Sequence, residues 1–287
     1  MRVQSVLEKL GWRTQHSPDY TDPREQKSRE MDVAATRSWQ RVRKGETQVA
    51  QLHLVVECKG IRKDTLLLAQ MDGDGTVDRL YNHWLGLDDD ELRDAIGNIV
   101  TTAGFDAAKV MRRFESLAYP RGRAAVMPLL VNAPPARVRA SAVREAKREE
   151  KRETENSLIR KATLQLFSAL HGTIAEERDA ALRQLRDDLL LRTRGVDDRL
   201  GYAVDLLQAA ASTVLLFHPI VVVDTQLVAI DADGELSVVE WARLDRGRIA
   251  SYERQWFDVV NAEHFERYAA ELTAWYSRLF DRMAKGK

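Results

Sequence analysis

A chain of 287 residues can bury a substantial core, either as one large domain or as a core carrying an inserted subdomain. With 44% hydrophobic and 31% charged residues, and 44 Lys+Arg against 44 Asp+Glu, it is not a disordered chain, and the neutral balance argues against strong non-specific affinity for nucleic acid. A single cysteine, Cys58, excludes an internal disulfide or a Cys-based zinc cluster and suits a reducing, cytoplasmic setting.

In chain order, residues 5–10 read as a short helix with Val6, Leu7 and Leu10 on its apolar side, closed by Gly11. Residues 13–28 are polar, contain Pro18 and Pro23 in turn contexts, and read as a loop, with Tyr20 as a turn aromatic packed on the core. Residues 29–35 and 52–59 read as strands. In the second, alternation sets Leu52, Leu54, Val56 and Cys58 on one face and His53, Val55, Glu57 and Lys59 on the other. The intervening 38–49 are polar and basic, with Lys44-Gly45 as the turn signal. Folding symmetrically about that turn sets Asp32 directly across from Glu57, where Cβ atoms stand about 4.5–5.5 Å apart. Lys59 projects from the same face, and Cys58 faces away as a small core residue. Two carboxylates and an ammonium then meet at one end of a ribbon. Mg²⁺ takes one or two carboxylates from a protein when water and phosphate fill its other positions. A lysine beside it can orient the attacking water or offset charge on phosphorus.

These residues carry a resemblance. Asp32, the strand after it and Glu57-Cys58-Lys59 resemble the Asp…(Asp/Glu)-x-Lys signature of the PD-(D/E)XK, or restriction-endonuclease-like, nuclease superfamily, in its Mrr-like and resolvase-like branches. Met31 stands where a proline precedes the aspartate in many members. The resemblance covers about the first sixty residues. It implies an α/β fold, a mixed central sheet flanked by helices in αβββαβ order, and Mg²⁺ or Mn²⁺ held by Asp32 and Glu57. It further implies Lys59 as the water-positioning residue, Glu8 on the first helix as an additional acid, and Gln165 on a later helix as a further neighbour of the metal.

Beyond Gly60, residues 66–69 read as a strand and 71–78 as a Gly/Asp turn that lacks the glycine and glutamate of an EF-hand. Helices are expected at about 88–102 and 106–117, and a core strand at 125–131. Residues 140 to about 170 read as one long helix, charged all round at first and amphipathic later through Leu158, Ala162, Leu166 and Ala169. Residues 176–192 and 198–211 read as two more helices, so 140–211 forms a helical insertion between a core at 1–139 and its completion at 212–287. The densest basic excess, Arg121, Arg123, Arg137, Arg139, Arg144, Lys147 and Arg148, is a candidate track for phosphate backbone. No signal segment opens the chain, and the most apolar stretch, 214–223, is broken by His218-Pro219 and too short for a membrane span. His218 reads as a loop or capping residue. A strand at 219–224, a hairpin turning at Asp233-Gly234, and a last helix at 262–283 with the stripe Phe265, Tyr268, Leu272, Trp275 and Leu279 complete the chain.

The sequence therefore leads to the expectation of a cytoplasmic, metal-dependent nuclease acting on DNA with little sequence readout, in defence against foreign DNA or in repair. The alternative is a nuclease-fold module without chemistry that binds nucleic acid or a protein, and the helical segment is a candidate for homodimerisation.

Overall fold

The computed structural model describes residues 2–22, 25–43, 46–60, 65–70, 81–84, 123–131, 158–192, 213–230, 235–245 and 256–285. Helix α1 (Arg2–Lys9) stops at Gly11, whose φ of 80° lies in the left-handed region that ends helices. Four strands follow: β1 (Arg13–His16), β2 (Asp19–Thr21), β3 (Ser28–Glu30) and β4 (Val33–Arg43). Then come β5 (Glu46–Lys59), β6 (Thr65–Gln70), β7 (Tyr81–Trp84) and β8 (Arg123–Val131). Helix α2 (Leu158–Arg192) leads to β9 (Thr213–Val223), β10 (Leu227–Ile230), β11 (Leu236–Val239), β12 (Trp241–Asp245), β13 (Trp256–Asn261) and helix α3 (Phe265–Lys285).

The β4–β5 hairpin holds the register expected from the turn at Lys44-Gly45: Val33 pairs with Val56 and Arg43 with Glu46. It anchors a mixed sheet in the order β1-β4-β5-β9-β13-β12-β8-β6-β10-β11, with β7 on the first half of β9. β9 runs parallel to β5, and β13 parallel to β9, so the carboxyl ends of all three lie on one edge, beside the start of β4.

Helices cover both faces of the sheet. On one, Val3, Val6 and Leu7 of α1 and the stripe Phe265, Tyr268, Leu272, Trp275 and Leu279 of α3 pack on Leu52, Leu54, Val56 and Val222. On the other, Leu166, Phe167, Ala169 and Leu170 of α2 pack on Val55, Phe217, Val221 and Val223. Each such side chain contributes about 1.5–3 kcal/mol of burial. No described helix is long and apolar enough to cross a membrane.

The structure corrects several expectations. Residues 13–28 are not a loop but carry β1 and a separate two-stranded flap, β2–β3, whose neck closes where Ser17 N–H donates to the Asp32 carbonyl at 3.0 Å. The polar residues 38–43 and 46–49 are strand, because β4 and β5 pair along their whole length. α2 runs unbroken through Gly172, where two helices were expected. Its residues 166–170 pack in the core, and at Gly172 the flap packs directly onto the helix.

β9 likewise passes through His218-Pro219. Pro219 falls between the β7 ladder, which ends at Phe217, and the β13 ladder, which starts at Ile220; that gap suits a residue without an N–H. His218 is neither loop nor cap. It is wholly buried, with Nε2 2.9 Å from Asp258 Oδ2 and Nδ1 3.0 Å from the Tyr276 hydroxyl. Arg243 donates twice to Asp258, at 2.9 Å each, and Tyr268 donates a third bond at 2.7 Å. Burial alone would raise the Asp258 pKa, but the Arg243 charge and the His218 bond hold it well below the usual carboxylate range. The expected helices at 88–102, 106–117 and 198–211, the turns at 71–78 and 233–234, and the first half of the long helix lie outside the described residues. So does the basic track, except that Arg123 opens β8.

Candidate active site

Asp32 immediately precedes β4, and the hairpin register carries it to the level of Glu57 on β5. Its carboxylate is fixed by the backbone of the facing strand: Cys58 N–H donates to Asp32 Oδ2 at 2.6 Å. Glu57 lies on the α2 side of the sheet and is only 3% exposed. Lys59 Nζ stands 3.1 Å from Glu57 Oε2 and donates to Gln165 Oε1 at 3.1 Å. Four of the residues named from sequence, Asp32, Glu57, Lys59 and Gln165, therefore meet at the carboxyl edge of the parallel strands, where ligands bind in open α/β sheets.

The electrostatics of this corner are strained. Burial raises the Glu57 pKa to about 7; Asp32 adds to the rise through its charge and through a hydrogen bond between the two carboxyl groups, while Lys59 opposes it. Near neutrality Glu57 is thus only partly ionised beside the Asp32 carboxylate. A divalent cation at that position would supply positive charge, so the donor set fits a hard, oxygen-seeking metal. Among the described residues no group of three or more His, Cys, Asp or Glu converges to hold a metal. Two carboxylates are nevertheless the protein's usual share for Mg²⁺ when phosphate and water complete the sphere.

Glu8 is placed differently. Its helix α1 packs on the α3 side of the sheet, and its exposed carboxylate accepts bonds from Thr14 at 2.6 Å and Gln4 at 2.9 Å. Those bonds, Thr14 foremost, lower its pKa. No described contact joins Glu8 to Asp32, Glu57 or Lys59. Cys58 packs toward the α1–α3 core, and burial pushes its thiol up to about 11, which keeps it an unreactive filler. Near Lys59, Asp224 N–H lies 3.4 Å from the Lys59 carbonyl at the end of β9.

The flap is the part of the site that sequence reasoning missed. Tyr20 is buried against α2 and lies within the field of Glu57; burial is the main reason its pKa is raised. Thr21 N–H donates to Glu176 Oε1 at 2.8 Å. A Cβ at Gly172 would stand 2.7 Å from Tyr20 Cδ2 and 2.8 Å from the Thr21 carbonyl oxygen, so only glycine admits this contact. Gln165, Ser168, Gly172 and Glu176 form one stripe along α2 that meets Lys59 and then the flap. The glycine inside a helical pattern was the available signal, since it costs about 1 kcal/mol against alanine unless something needs the space.

No protein-family model, curated protein or solved structure matches this chain.

Proposed function

We propose that this chain is a divalent-metal-dependent phosphodiesterase acting on DNA, with a restriction-endonuclease-like core. The observation that carries the reading is the corner itself: the β4–β5 register brings Asp32 to the level of the buried Glu57, Cys58 N–H holds the Asp32 carboxylate at 2.6 Å, and the Lys59 ammonium stands 3.1 Å from Glu57. The pairing of β1, β4 and β5 antiparallel, with β9 parallel to β5 and reached after β6–β8 and α2, supports it as containing the strands of the αβββαβ arrangement expected from the sequence.

Asp32 and Glu57 would hold Mg²⁺ or Mn²⁺, which lowers the pKa of bound water and stabilises charge on a phosphoryl oxygen. The Cys58 N–H keeps the Asp32 carboxylate aimed inward, so little reorganisation accompanies binding. Lys59, held between Glu57 and Gln165, presents its remaining N–H to the attacking water or to a phosphate oxygen. Exposed as it is, Gln165 anchors the lysine without burying its charge.

Phosphodiester hydrolysis needs rate enhancements near the top of the enzymatic range. Asp32→Ala and Lys59→Ala are therefore expected to abolish Mg²⁺- or Mn²⁺-dependent cleavage of supercoiled, linear and single-stranded DNA while leaving thermal unfolding almost unchanged. Full cleavage by either variant would end the assignment. Calorimetry showing no Glu57-dependent metal binding would favour a binding module without chemistry.

A further inference from the structure

Three exposed residues, Lys161, Leu164 and Gln165, stand on one surface of α2 at the mouth of this corner. Spacings of three and four put their Cβ atoms about 5–6 Å apart. Their helical neighbours Ala162, Thr163, Leu166 and Phe167 are buried against the sheet, so this surface faces solvent. Gln165 accepts the bond from Lys59, which places Lys161 one turn from that ammonium, toward the electropositive start of the helix. Leu164 is 51% exposed, and Val238 is the only other large hydrophobic residue so exposed among the described residues.

We propose that Lys161 and Leu164 form the rim on which the nucleic-acid strand lies as it enters the site. Lys161 takes a backbone phosphate next to the scissile one, and Leu164 packs against a neighbouring base or sugar. The inference rests on the phosphodiesterase reading and deepens it by naming how the polyanion is seated. A corner with two carboxylates repels phosphate, and Lys59 is already shared between Glu57 and Gln165. A further cation at the mouth meets that need, and contacts to phosphate hold a strand without reading its sequence. An apolar side chain one turn away matches the alternation of charged phosphate and flat base along a single strand.

The test uses the full chain, a fluorescein-labelled single-stranded oligonucleotide and its duplex, and Ca²⁺ in place of Mg²⁺. Anisotropy is read across a KCl series. Lys161→Ala is expected to weaken binding about tenfold and to flatten the slope of log K against log salt by about 0.7–0.9, one phosphate contact. Leu164→Ala should weaken binding several-fold at unchanged slope. Arg278→Ala, which removes an exposed charge from α3 on the opposite face of the sheet, should change neither. If wild type cleaves DNA while both rim variants bind as it does, or if Arg278→Ala loses as much as Lys161→Ala, the rim is refuted and the phosphodiesterase reading stands. If wild type neither binds nor cleaves DNA with any divalent metal, both fall.

Discussion

Replacing Glu57 by glutamine keeps the side chain's volume and removes its ionisation. In the folded protein this carboxyl is buried, and burial followed by the Asp32 charge moves its pKa from 4.5 to about 7 against the pull of Lys59. A tenfold change in proton affinity is worth about 1.4 kcal/mol, so above pH 7 the ionised carboxylate destabilises the native state by about 3 kcal/mol relative to the unfolded chain. Because the folded pKa is the higher one, the stabilising contribution is complete below about pH 4.5 and is lost as the pH rises to about 7. The amide escapes that loss. Glu57→Gln should therefore melt with wild type at pH 4.5 and above it at pH 8. The full effect corresponds to about 5–6 °C for a chain of this size, less whatever Lys59 loses with its partner. Calorimetric or circular-dichroism melts in EDTA at several pH values provide the measurement. A variant less stable than wild type at pH 8 would show that Glu57 is one half of a structural ion pair and refute the argument.

Two further outcomes follow from packing. Gly172→Ala gains about 1 kcal/mol of helix propensity, but the new methyl meets a ring carbon and a backbone oxygen that have nowhere to go. A net loss of about 1–3 kcal/mol and faster proteolysis within the flap are expected; a raised Tm would contradict the close approach. Asp258→Ala leaves Arg243 and His218 buried without their shared acceptor, a loss of about 3–5 kcal/mol. Urea titration reads it directly, and a loss below about 1 kcal/mol would mean that solvent reaches the cluster.

Where one local rule was enough, the sequence could be read. Alternation in β5 places Glu57 and Lys59 on one face and Cys58 on the other, and a register centred on Lys44-Gly45 brings Asp32 to Glu57. The α3 stripe is as regular, and all five of its expected positions are buried. What stayed hidden depends on contacts between distant segments. β1 is four polar, mostly exposed residues that become a strand only because β4 offers an edge. The cluster around His218 draws on β9, β12, β13 and α3, and no spacing in the sequence links them. Glu8 met a familiar pattern on a helix that packs on the other face of the sheet.

The two buried carboxylates on either side of this sheet are compensated very differently. Asp258 and Glu57 are about equally shielded from water, so solvation alone would raise both pKa values. Asp258 receives a bidentate arginine, a tyrosine hydroxyl and an imidazole, and stays ionised. Glu57 receives one lysine, shared with Gln165, and a second carboxylate pressed against it, and its pKa rises to about 7. The same fold thus compensates one buried acid fully and leaves the other short of positive charge. Had Glu57 served packing alone, an apolar side chain on β5 would fill the position without a penalty, as Val55 does two residues earlier on the same face. The acid that is left short lies where three parallel strands end, and strain of this kind persists in proteins mainly where a ligand relieves it. Under the proposed reading, a divalent cation between Asp32 and Glu57 is the ligand that would relieve it.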